Sequence, residues 1–202
     1  FNGTLAQTIR STAASQTFYD VVIAKTAGTT LSVGGSTTAL TVNNLTQTTG
    51  NFTAPATLTI NGSLVLSAGT FAAGATINAA GDWTNNSGGF NAGTGTVTFF
   101  GLSSVYGSAI TSFNNVTLSG ALTGHPINMN VAGDWTNNGG GFNGGTGTVN
   151  FNNTAAPQNI NGTAVTQTFN NIAVAKTAQT LSVRGSTTTL NVNNITLASG
   201  IF

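Results

Sequence analysis

Few side chains in this sequence could do chemistry. The charged residues are Arg10, Asp20, Lys25, Asp82, Asp134, Lys176 and Arg184; His125 is the single histidine, and glutamate and cysteine are absent. Acid–base catalysis needs two titratable groups within reach of one substrate. The carboxylates Asp82 and Asp134 occupy related positions, 52 residues apart in near-identical blocks. If those blocks stack as whole coils, the two carboxylates share a face about three coils, or roughly 14 Å, apart. Even the widest glycosidase carboxylate pair is closer than about 9.5 Å. His125 precedes Pro126 beside Gly124 and reads as a turn residue. The runs GGFNAGTGT (88–96) and GGFNGGTGT (140–148) have the glycines of a calcium-binding nonapeptide repeat but lack its aspartate. No lysine follows a glycine run as a phosphate loop requires. Without cysteine there are no disulfides, thiolate metal sites or thiol nucleophiles. The expectation is a protein that is not an enzyme, with no catalytic, cofactor-binding or metal residues and no cofactor.

Composition narrows the partners. Charged residues make up 3% of the 202-residue chain and the net charge is +1, against about 25% charged in an ordinary globular protein. Four separated cations cannot form the basic stripe that nucleic acid requires. No run approaches the roughly 18 apolar residues of a membrane-spanning helix. The chain starts at Phe1, so any secretion signal lies outside the sequence read here. Abundant Val, Ile, Thr and Phe argue against disorder. N-x-[ST] triplets at Asn2, Asn44, Asn51, Asn61, Asn85, Asn115, Asn152, Asn161 and Asn194 reflect the frequency of Asn and Thr.

The elements that must position these residues are repeats. Residues 1–52 align with 151–202 at 30 of 52 positions, a period near 150 residues. A shorter echo relates 81–99 to 133–151, with 16 of 19 positions identical. Within the blocks, apolar residues come in pairs separated by one residue, such as Leu58/Ile60, Val97/Phe99 and Val116/Leu118. That spacing marks strands with one buried face, and Gly, Asn and Ser break the runs where turns are needed. No segment has helical periodicity or caps. The reading is an all-β fold, a parallel β-helix (β-solenoid) with coils of about 17–19 residues and no helices, running as one continuous segment over 1–202 in eleven or so coils. The structural landmarks of the repeats are Trp83 and Trp135, expected at equivalent sites, and Phe90 and Phe142, seven residues after each; they read as packing at a coil corner, with a carbohydrate-stacking platform as the alternative. Asn pairs at 43–44, Asn114/Asn115, Asn170/Asn171 and 193–194 either stack coil over coil in amide ladders or simply tolerate turn geometry beside the strands, and the two readings are compatible.

The GDWTNN, GTGTVTF and FNN(V/I) blocks resemble the glycine- and asparagine-rich repeats of large bacterial surface proteins, similar to the filamentous-haemagglutinin-like adhesins. The resemblance implies a right-handed helix, secretion, and a role in attachment or surface coating. The functional expectation is an extracellular or cell-surface structural protein that builds a filament, fibre or surface layer, with a stalk or binding region of a large adhesin as the alternative. Its partners would be further coils, stacked end to end or within a longer repetitive chain, together with surface glycans or a host or neighbouring cell surface. Thr residues alternating with apolar ones (Thr57/Thr59, Thr94/Thr96/Thr98, Thr146/Thr148, Thr187/Thr189) raise a lesser alternative, an ice-binding β-solenoid face.

Overall fold

Alternation works at the level of three or four residues. Thr57–Ile60, Thr76–Ala79 and Thr96–Phe99 each bury their second and fourth residues and leave the first and third at the surface. A strand so short has too little inner surface to stand alone, so it stacks on its equivalent one coil away. In the computed structural model, which describes residues 1–86 and 88–202, the chain winds as a parallel β-solenoid of about ten turns, with no helix among the described residues. Ser87, inside the first Trp block, lies outside the described residues.

Each turn contributes a strand to each of three faces. The first face stacks 15–18, 39–42, Thr57–Ile60, Thr76–Ala79, Thr96–Phe99, Asn115–Leu118, Trp135–Asn137, Gln158–Gly162 and 181–183. The second stacks 20–23, 44–47, Leu64–Leu66, Trp83–Asn85, Leu102–Tyr106, Ala121–Thr123 and Phe142–Asn143, and 166–169 and 189–192 complete it. The third runs from Gln7–Ser11 through Thr30–Gly35, Asn51–Thr53, Thr70–Ala72 and Gly89–Asn91. After a gap in its ladder it continues through Thr111–Phe113, Asn128–Val131, Thr148–Phe151, 171–174 and 194–197. All these pairings are parallel, and the inward residues form one continuous apolar core from Ile9 to Leu181.

Two expectations about the coils are corrected. The coil is not a constant 17–19 residues: partners are 18 apart at Ala39↔Thr57, 19 at Phe52↔Phe71 and 25 at Trp135↔Ile160. The ladder fixes only the strands, so extra residues are taken up in corners. Nor does the sequence repeat equal a whole number of coils. The strand beginning at Trp83 lies on the second face, but its echo beginning at Trp135 lies on the first. The 52-residue echo therefore advances two and two-thirds turns. The long repeat behaves similarly: 15–18 lies on the first face and its counterpart 166–169 on the second. Every corner accepts the same sequence because all three faces obey one inside–outside alternation.

The corner between the first and second faces has a strict size limit. Gly81, Gly101 and Gly120 stack there, and a Cβ added to any of them would come within 3.0 Å of backbone in the preceding coil. The backbones meet because the coil turns sharply with no side chain between layers. We expect Gly101→Ala to cost about 1–3 kcal/mol, a fall in melting temperature of about 2–4 °C per kcal/mol for a chain of this size. Gly141→Ala, whose Cβ would meet only Ala121 Cβ at 4.0 Å, should leave it unchanged. Thermal unfolding followed by circular dichroism distinguishes the two.

Candidate functional site

The aromatic landmarks build the core. Trp83 and Trp135 are fully buried and Phe90 and Phe142 half-buried. Trp83 packs edge-on against Phe90 with ring centroids 4.8 Å apart, and Phe113 from the next coil closes the cluster at 5.3 Å from Trp83. Trp135, Phe142 and Phe169 repeat the arrangement at 4.7 and 5.2 Å, turned by one face. The motif is locally the same, but its position in the rod is not, contrary to the expectation of equivalent sites. The surroundings then diverge. Trp135 Nε1 donates to Gln167 Oε1 at 3.1 Å, whereas the Trp83 Nε1–H is buried without a partner among the described residues. Neither indole offers a face to a sugar ring.

The Asn pairs occupy corners, and not all the same one. Asn170/Asn171 and 193–194 sit between the second and third faces and do form a ladder: Asn194 Nδ2 donates to Asn171 Oδ1 at 2.8 Å and Asn193 Nδ2 to Asn170 Oδ1 at 3.3 Å. Asn114/Asn115 sit between the third and first faces. There Asn115 Oδ1 accepts the Asp134 N–H at 2.8 Å and Asn114 Nδ2 reaches the Gly95 carbonyl at 3.3 Å. Asn44, between the first and second faces, donates to Asp20 Oδ1 at 2.8 Å and accepts the Ser63 N–H at 2.9 Å. Both sequence readings thus appear, a ladder at Asn170/Asn171 and 193–194 and corner braces at the other pairs. The cause is the fractional turn of each repeat.

Sequence reasoning missed the most elaborate polar sites, two buried lysines. Lys25 and Lys176 are almost fully enclosed. Lys25 Nζ donates to Asn2 O at 2.9 Å, Leu5 O at 2.6 Å and Gln7 Oε1 at 2.9 Å. Lys176 Nζ donates to Asn153 O at 2.8 Å, Ala156 O at 2.9 Å and Gln158 Oε1 at 2.8 Å. Each ammonium uses its three donors to hold the corner loop of the preceding coil, and the separations along the chain, 23, 20 and 18 residues, are the same in both. Burial pushes the Lys176 ammonium below the usual lysine range, opposed by the nearby Asp134 carboxylate. The signal was available: AKTA recurs at 24–27 and 175–178, and each lysine continues the inward parity of Val21/Ile23 or Ile172/Val174.

His125 is also buried and spoken for at both nitrogens. Nδ1 accepts the Ile127 N–H at 3.1 Å, which leaves Nε2 as the protonated nitrogen facing Gly107 O at 3.0 Å. Asp82 and Asp134 precede strands on different faces, not the same one as expected. Asp82 Oδ1 accepts the Ser104 N–H at 3.0 Å and Asp134 Oδ1 the Asn159 N–H at 2.8 Å. No group of three His, Cys, Asp or Glu among the described residues could hold a metal ion. The Thr arrays separate as well. Thr57/Thr59 and Thr96/Thr98 point outward on the first face and Thr148 on the third. Thr187 turns inward and joins Gln167 and Ala164. Phe142 borders an open groove of about 540 Å³, lined also by Asn143, Asn170, Asn191 and Asn193.

Comparison with protein-family models, with curated proteins and with solved structures returned no match to this chain.

Replacing Lys176 by methionine keeps an unbranched side chain one atom shorter and removes its three hydrogen bonds. The stranded acceptors should cost at least about 1–3 kcal/mol, and amide exchange should accelerate first in 153–158. Arg184→Ala, at an exposed site, should stay within about 0.5 kcal/mol of the parent. Denaturant titration with hydrogen exchange reads both.

Proposed function

We propose that this chain is a non-catalytic, extracellular structural rod that contributes to a filament, fibre or surface layer. The observation that carries the reading is the ladder itself: about ten turns stack in parallel around one apolar core. At roughly 4.8 Å per coil the segment is on the order of 50 Å long. Such a rod grows by addition of coils, because an open parallel edge presents unpaired N–H and C=O groups to whichever strand reaches it. The +1 net charge offers little repulsion against side-by-side or end-to-end association. Lysine, histidine and aspartate side chains are engaged in bracing the coils, which suits a load-bearing part.

A second reading, a binding region of a surface adhesin, is favoured by the asparagine-lined groove beside Phe142. Side-chain amides and an aromatic edge are groups that recognise sugar hydroxyls and ring faces.

Electron microscopy of the assembled protein tests the first reading. Fibres with an axial reflection near 4.8 Å are expected; discrete particles under every condition tried would remove the filament. A glycan array tests the second: retained binding by the protein and at least tenfold weaker binding by Asn170→Ala are expected, and no glycan signal would exclude it.

A further inference from the structure

The first face differs from the other two in what it shows to solvent. Register places one outward residue of each coil directly over the next, in the order Thr17, Thr41, Thr59, Asn78, Thr98, Thr117 and Thr136. A second rank runs beside it through Thr57, Thr76, Thr96 and Asn115. Asn78 and Asn115 stand within the ranks, Ala39 and Ser15 continue the second rank at one end, and Asn161 follows Thr136 in the first. From 15 to 118 no strand of the first face contains a charged residue. None of its outward positions carries a large exposed apolar side chain, whereas the second face bears Val22, Leu102 and Tyr106.

The two ranks make a lattice. Hydroxyls and methyls repeat about every 4.8 Å along the axis and roughly 6.6 Å across a coil, twice the rise per residue. Threonine is stiff at χ1, so neighbours in a rank keep a common orientation. Each hydroxyl has one donor and two acceptor sites, while the intervening methyls confine water between the ranks. Two contacts lie within the rank, Asn78 Nδ2 donating to Thr59 Oγ1 at 3.3 Å and Thr136 Oγ1 donating to Asn161 Oδ1 at 2.8 Å, and each of these hydroxyls keeps further capacity for water. A protein partner would want a central aromatic or arginine anchor, and a polyelectrolyte would want charge. This face has neither. Its complement is a surface that is uncharged, extended and periodic in two directions.

We propose that the first face orders a layer of water on its threonine ranks and through it binds ice. The inference does not depend on the rod assembling into filaments. The ligand is the solid–water surface itself, and the contact is reversible hydrogen bonding with no covalent step.

The test uses the full 202-residue chain. Thermal hysteresis and inhibition of ice recrystallisation are measured for the parent, for Thr98→Lys and Thr59→Lys on the first face, and for Thr53→Lys, an exposed third-face position. Circular dichroism confirms that each is folded; two first-face variants in different coils guard against a misfolded one. The expected result is activity in the parent, at least tenfold loss in either first-face variant, and none in Thr53→Lys. A folded parent no more active than an unrelated protein at equal concentration overturns the proposal. Equal loss in all three variants overturns it too. So does sedimentation showing that Thr98→Lys merely converts a dimer to monomer, which would make the face a contact between copies.

Discussion

Coil-to-coil backbone hydrogen bonding is the constraint on which the rest of this structure depends. A parallel ladder holds neighbouring strands at a fixed separation of roughly 4.8 Å, and it runs through nearly every strand of the chain. Side chains must then fit a layer of that thickness. Inward positions become columns of Leu, Val, Ile and Phe, as in the Phe52, Phe71 and Phe90 stack, whose ring centroids are 5.2 and 5.8 Å apart. Where the chain turns too sharply to admit a side chain between layers, as at Gly81, Gly101 and Gly120, only hydrogen fits. Low charge follows from the same cause: stability resides in backbone bonds and apolar columns, so ion pairs are not needed to hold the coils together.

A ladder indifferent to sequence also explains why repeats may drift around the rod. One block of 19 residues serves on the second face at Trp83 and on the first at Trp135, and its Trp–Phe–Phe cluster survives the rotation with nearly unchanged distances. Local packing belongs to the block. What lies one coil away belongs to the winding, which is why Gln167 meets the Trp135 indole while the Trp83 indole has no such partner among the described residues.

The polar interior is concentrated where the ladder cannot help. Corner loops expose carbonyls that no strand pairs, and a buried carbonyl without a donor is costly. Lys25 and Lys176 answer this with three donors each. Gln47 does so with fewer, its amide nitrogen reaching Gly50 O at 2.7 Å and Thr70 O at 3.2 Å. Gln158 serves both roles, giving its amide to Val131 O at 2.8 Å and its oxygen to Lys176. Burying an ammonium carries a desolvation cost, so these sites stay in place only while all three acceptors are supplied by the coil before.

Strand character, the absence of helices, the solenoid class and the inward residues were legible in the sequence, because they rest on period-two alternation and on short-range turn chemistry that each segment carries by itself. Parity could even have exposed the buried lysines, since Lys25 follows Val21 and Ile23 at the same spacing, but a charged residue at an inward position looks like a strand's end until its acceptors are seen. Which residues stand over which was not legible. Coil lengths from 18 to 25 residues mean that register depends on how much chain each corner absorbs, and that is decided by packing between coils. The sequence alone therefore determined the class of fold and the two sides of every strand. Tertiary structure alone decided that Asp82 and Asp134 part company, that the Asn pairs share only one ladder among the described residues, and that Thr17, Thr41, Thr59, Thr98, Thr117 and Thr136 line up on the first face while Thr148 and Thr187 do not, because all three depend on summing corner lengths around a closed turn.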